Sequence, residues 1–199
     1  MGYLIGLSEY LEAHYHESVF DQAVKDGQRW QIHAHPHRIF PARILETATY
    51  DVTIERSEAG KEILPKVQVK FLYPFELADS VKSLLKQDSK VEALHLGPHF
   101  SPRYRRHVKN KTLFPLMKER TALFFTLLEG EVLKGIIAAF NRYEITAHMK
   151  GGLPLTILRH SIHDIRDKKG RCYLKNIQEK SEDWKKSGLY VSTGVRGPS

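Results

Sequence analysis

The sequence predicts a mainly β protein with helices: small five-stranded barrels in tandem, each preceded by a helix. Three observations predict it. From Leu123 to Ile165 short apolar or alternating runs are divided by Gly and Asn turn signals. The same order of runs and turns recurs between Trp30 and Leu72. A stretch with apolar residues at helical spacing stands before each series.

In chain order, Ser8 is placed to N-cap a helix that runs to about Lys25, with Leu11, Tyr15, Val19 or Phe20, and Ala23 on one face, and Asp26-Gly27 ends it. The first β series reads Trp30 to His35, a turn near Pro36-His37, Arg38 to Leu45, a break at Thr47 to Thr49, Tyr50 to Glu55, a turn at Glu58-Ala59-Gly60, and Val67 to Leu72. Phe75 to Lys90 carries Leu77, Val81, Leu84 and Leu85 at helical spacing and predicts a helix. Glu92 to Pro102 is a linker punctuated by Gly97-Pro98 and Ser101-Pro102. Arg103 to Lys111 concentrates Arg103, Arg105, Arg106, Lys109 and Lys111 around Tyr104.

In the second series Leu123 to Leu128 is a Phe-rich strand closed by Glu129-Gly130, glycine entering positive φ without a Cβ clash. Val132 to Phe140 follows, with Gly135 permitting a sharp bend. Asn141-Arg142 breaks it, Tyr143 to Met149 alternates, Gly151-Gly152 is a hairpin signal, and Leu155 to Leu158 and Ile162 to Ile165 complete the set. Arg166 to Arg171 is a charged turn, Tyr173 to Trp184 a weak helix and Leu189 to Ser199 a loose tail. Setting Tyr50 on Tyr143 puts Ile44 on Ile137, Ala42 on Gly135 and His37 on Gly130; after a longer hairpin, Lys70-Phe71 then falls near Arg159-His160. The divisions are 1–75, 76–111, 112–166 and 167–199.

A formal net charge of +8 favours an anionic partner, nucleic acid first and an anionic membrane surface second. The single cysteine, Cys172, excludes an intramolecular disulfide. No apolar run reaches membrane-spanning length and the N-terminus lacks the pattern of a signal peptide, so the expected location is cytoplasmic, without a membrane. His33, His35 and His37 alternate along a strand, but Pro36 interrupts them and no acidic ligand cluster accompanies them, so no metal is expected. No Gly-rich phosphate loop, His-Glu-x-x-His or Gly-x-Ser-x-Gly pattern is present; the expectation is a non-enzyme without cofactors.

The ordered features Glu129-Gly130, Leu133 and Gly135, Phe140-Asn141-Arg142-Tyr143 and Leu158-Arg159-His160-Ser161-Ile162, with Phe114 to Arg120 upstream, resemble the Sm-like family of the bacterial RNA chaperone Hfq. The resemblance covers roughly Thr112 to Ile165. It implies Sm-like (SH3-like) barrels and binding of uridine-rich single-stranded RNA in post-transcriptional regulation. Arg142 and Tyr143 stand at the family's Gln-Phe pair, and Arg159 and His160 at its Lys-His pair. In the first copy the counterparts are Tyr50 and Lys70, with Phe71. A tyrosine face stacks a base and an arginine holds a phosphate or a uracil carbonyl. Arg103, Arg105 and Arg106 are candidates for tracking phosphates. Thr126 and Glu131-Val132 depart from the family's adenosine-binding face.

The resemblance further implies a homo-oligomer, three chains forming a pseudo-hexameric ring through open strand edges. Pro41, Pro65 and Pro74 remove backbone donors from the first copy and stand against such pairing. The alternatives are an Sm-fold assembly or adaptor module without RNA contact, and a DNA- or membrane-surface-binding basic protein.

Overall fold

The computed structural model describes residues 2–16, 18–174 and 183–192. It is a mixed α and β protein built on one eleven-stranded antiparallel sheet. A short strand β1 (Gly2–Leu4) leads to helices α1 (Leu7–His14) and α2 (Val19–Asp26). One continuous helix does not form, because Ser18 adopts an extended conformation and its hydroxyl accepts the Phe20 N–H, so a second helix starts there. Gly27, at φ 61°, ends α2 in the left-handed conformation.

The first series of strands is β2 (Arg29–Ala34), β3 (Arg38–Thr47), β4 (Asp51–Arg56), β5 (Gly60–Pro65) and β6 (Val69–Pro74). Between the series the predicted helix over 75–90 is broken into α3 (Ala78–Lys82), β7 (Lys86–Gln87) and α4 (Ser89–Glu92), the last capped by the Asp88 carboxylate. Helix α5 (Asn110–Lys118) then introduces β8 (Ala122–Leu127), β9 (Glu131–Phe140), β10 (Glu144–His148), β11 (Pro154–Leu158) and β12 (Ile162–Asp167). Far from being loose throughout, the C-terminal stretch contributes β13 (Tyr190–Ser192), which pairs with β1. Most of the predicted helix from Tyr173 to Trp184 lies outside the described residues.

The two series repeat each other at one constant offset. The shift that carries Arg29 onto Ala122 also carries Asp51 onto Glu144, Pro65 onto Leu158 and Pro74 onto Asp167. Irregularities repeat with it: β3 bulges at Leu45 and β9 at Ala138, while β6 bulges at Lys70 and β12 at His163. His37 (φ 46°) and Gly130 (φ 92°) occupy the same left-handed turn position. The expected longer hairpin in the first copy is therefore not there. Its fourth strand is β5 and its fifth β6, so the counterparts of Arg159 and His160 are Lys66 and Val67, and Lys70 matches His163.

Within each block the order is fifth, first, second, third, fourth strand, and the blocks join where β11 pairs with β6 (Thr156 opposite Leu72, Ile157 opposite Phe71). The expected closed barrels do not form. The fourth strand of the second block spends its free edge on the first block, and among the described residues β5 pairs only with β4.

Two cores lie along this sheet. Val69 and Leu72 of β6 enter a core with Phe20, Ile32, Ile54 and Leu64, while Phe71 and Tyr73 enter the core of Leu113, Phe125, Ile145 and Ile157. Strand β6 thus belongs to both, one face each. Leu4 and Leu7 pack into the second core, and the Tyr10 hydroxyl donates to the Phe140 carbonyl at 2.9 Å, so α1 rides on the C-terminal block.

Candidate functional site

The junction of β9 and β10 is shaped by Asn141. Its side-chain oxygen accepts the N–H groups of Tyr143 and Glu144, both at 2.8 Å, an Asx turn that tips the intervening residues outward. Tyr143 is 60 % exposed, with the Arg142 guanidinium 5.3 Å from its ring centroid. The Tyr143 carbonyl accepts the Arg159 N–H at 2.8 Å. The first block repeats this geometry: Tyr50 is 79 % exposed and its carbonyl accepts the Lys66 N–H at 2.8 Å. Each block therefore presents one bare tyrosine ring at the same corner.

Arg159 and His160 do not close a pocket with that ring. Arg159 reaches back to Asn110 Oδ1 at 2.9 Å and lies over Phe140, while Nε has no partner among the described residues. Burial pulls its guanidinium down to about 10, which leaves it cationic at neutral pH. His160 donates from Nε2 to the Val69 carbonyl at 3.0 Å; burial, with the nearby Arg105 charge, pushes it down to about 4, so it is a neutral ring at pH 7.

Of the basic stretch, Arg103 and Arg106 are exposed, and Tyr104 is 68 % exposed. Arg105 folds back on the carbonyls of His99 and Phe100, and Arg106 takes the His163 carbonyl at 2.7 Å. The stretch runs into α5 at Asn110, the residue that anchors Arg159.

Lys70 is no surface contact. It sits in the β6 bulge, buried, with its ammonium between the carboxylates of Glu129 and Glu131. Glu129 also accepts from His35 Nδ1 at 2.9 Å and from the His37 backbone N–H at 3.0 Å. Burial opposes its ionisation, but these hydrogen bonds and the Lys70 charge outweigh that and hold the carboxyl down at about 2. Next to it His33 stacks on Phe71 at 4.0 Å and meets the Tyr73 hydroxyl at 3.0 Å; burial, reinforced by Lys70, lowers it to about 3. The three alternating histidines thus serve the seam between the blocks. A cavity of about 390 Å³ lies beside them, lined by His35, His37, Gln68, His95 and Glu129 among others. Among the described residues no group of three or more His, Cys, Asp and Glu side chains is placed to hold a metal ion.

Sequence reasoning missed Lys66 as the partner of Tyr50 and the whole Glu129–Lys70 cluster. The constant offset would have found Lys66; nothing local marks a lysine whose carboxylates come from another strand series. No helix among the described residues is long and apolar enough to cross a membrane. No family model, curated protein or solved structure matches the chain.

Proposed function

We propose that the chain is a tandem Sm-like protein that binds uridine-rich single-stranded RNA and acts in post-transcriptional regulation. One observation carries the reading: β11 of one block pairs with β6 of the other, a fourth-strand to fifth-strand contact of the kind that joins neighbouring Sm-like subunits in a ring. The chain then amounts to two adjacent ring members in one polypeptide, and three chains supply six blocks. Tyr50 and Tyr143 supply stacking platforms, Arg142 lies over the ring of Tyr143, and Arg103, Arg106 and Lys66 add positive charge elsewhere, in a chain with net charge +8. Lys70 drops out of the site because it is buried in an ion pair.

A second reading, an adaptor of the same fold without RNA contact, draws on the engagement of Arg159 and His160 with Asn110 and Val69. Fluorescence anisotropy with labelled oligouridine and oligoadenosine at one salt concentration separates the two. The RNA reading expects tighter oligouridine binding that weakens at least about fivefold when Tyr50 and Tyr143 are both changed to Ala, the lower end of base–aromatic stacking. Tighter oligoadenosine binding refutes the uridine preference, and no binding to either favours the adaptor.

A further inference from the structure

The outer ends of the sheet are not alike. At one end β5 has no partner on its outer edge among the described residues, and Ile63 at its centre is 71 % exposed. At the other end the outer edge of β12 is already taken. After Asp167 the chain turns through Lys168 to Gly170 and comes back along β12: Asp167 donates to the Arg171 carbonyl at 3.1 Å, Tyr173 donates to the Ile165 carbonyl at 2.9 Å, and Cys172 stands opposite Arg166. The return is anchored. Tyr173 and Leu174 are each 5 % exposed, and the Tyr173 hydroxyl donates to Asp167 Oδ2 at 3.0 Å.

The repeat says what this return displaces. Ile165 is the counterpart of Leu72, and on β6 the partner of Leu72 is Thr156 of β11. The segment on β12 therefore occupies the place that a fourth strand occupies on β6. The fourth strand still lacking such a contact is β5, and a second copy of this chain brings one. An open β5 edge and a β12 edge covered by its own chain cannot pair while the cover stays.

We propose that Arg171–Leu174 is a tethered cap on β12 that competes with β5 of a second copy and holds the chain as a lone tandem pair until it is displaced. This rests on the tandem Sm-like reading for the identity of the competing strand. Being covalently attached through a short turn, the cap acts at a high effective concentration, whereas an incoming chain acts at its bulk concentration.

The test is solution mass by light scattering at micromolar concentration on the full chain. Cys172 provides a lock: Arg166 and Cys172 form a pair not hydrogen-bonded to each other, where Cα atoms approach to about 4.5 Å, so Arg166→Cys oxidised to Cys172 pins the cap. Tyr173→Gly with Leu174→Ser removes its anchors, and a separate variant with three glycines inserted after Gly170 loosens the turn while keeping every side chain. The expected result is one chain for the wild type and the locked variant, and a threefold mass for either loosened variant that retains its far-ultraviolet circular dichroism. A wild type of three chains beside a locked variant of one shows the same competition with the balance toward the ring. A locked variant of three chains overturns the proposal, as does a glycine-insertion variant that stays at one chain. Oligouridine binding measured on the same samples is independent of mass: its absence from a threefold assembly sinks the RNA reading and leaves the cap standing.

Discussion

The two blocks follow one path with different contents, and the differences show which positions are fixed by the path and which by surroundings. At the turn after the first strand both adopt positive φ, yet one uses His37 and the other Gly130, where a Cβ would lie 2.8 Å from the Asp88 carbonyl. In the second strand Ala42 is tolerated, whereas at Gly135 a Cβ would lie 2.8 Å from the His148 carbonyl. Where the first block carries Asp51, the second carries Glu144, buried and holding the start of α2 through Ser18 and the Val19 N–H. Burial raises that carboxyl despite the hydrogen bonds it accepts. The second block is pressed by α1, α4, α5 and β7, whereas the first is covered by α2 and, among the described residues, left open on its β5 side. Neighbours, more than the strand path, have set the residue choices.

The largest expected break in this comparison is at Glu129, whose counterpart is Pro36. Glu129→Ala combined with Glu131→Ala strands the Lys70 ammonium in the seam and should cost about 3–5 kcal/mol in urea unfolding, while His163→Ala, at the position matching Lys70, should cost under about 1 kcal/mol. Equal losses would mean that the cluster is not what couples the blocks.

Acid should act on both blocks with different lower limits. His33 and His160 have folded-state values of about 3 and about 4, below the ordinary 6.5. The unfolded chain therefore binds these protons first as pH falls, and the stability they contribute is full above pH 6.5. It declines by about 1.4 kcal/mol per pH unit for each ring until each folded value is reached. His160→Leu should halve the slope between pH 6.5 and 4, and His33→Leu should halve it there and abolish the part that continues to pH 3. A stability curve flat between pH 6.5 and 4 in the unaltered chain contradicts this.

Smaller effects sharpen the contrast. Gly135→Ala should destabilise by about 1–3 kcal/mol through overpacking against β10, whereas Ala42→Gly should cost only about 1 kcal/mol, chiefly from backbone entropy. Singly, Tyr143→Ala should weaken oligouridine binding by about 1–2 kcal/mol and Tyr50→Ala by less, because Arg142 lies over the former. The reverse order would place the working surface on the first block.

Much of the strand pattern was legible. Alternation and turn residues located nine of the ten strands of the two series to within a few residues, and the identity of Tyr50 with Tyr143 supplied the correct offset. The tenth, β5, reads Gly-Lys-Glu-Ile-Leu-Pro, an edge strand whose polar half and terminal proline look like loop, and overlooking it moved Lys70 into the wrong role. The break between α1 and α2 was missed because apolar spacing continues across Ser18 while its cap does not show in a periodicity. Of the candidate site, the exposed tyrosines were recognisable from their place at strand junctions. The partners that bury Arg159 and His160 come from elements far away in the chain and leave no local trace.

The seam between the blocks also bears on what happens when the chain is cut. The loop between α4 and the basic stretch runs from Ala93 to Ser101 without regular structure, and a nick at Gly97-Pro98 severs no strand. Yet each piece would then hold one side of a lock. The N-terminal piece keeps Lys70 and the β6 edge, and the C-terminal piece keeps Glu129, Glu131 and the β11 edge. Neither piece satisfies its own charges, so the arrangement is a natural split pair: two fragments produced separately should reassemble with each other in preference to themselves.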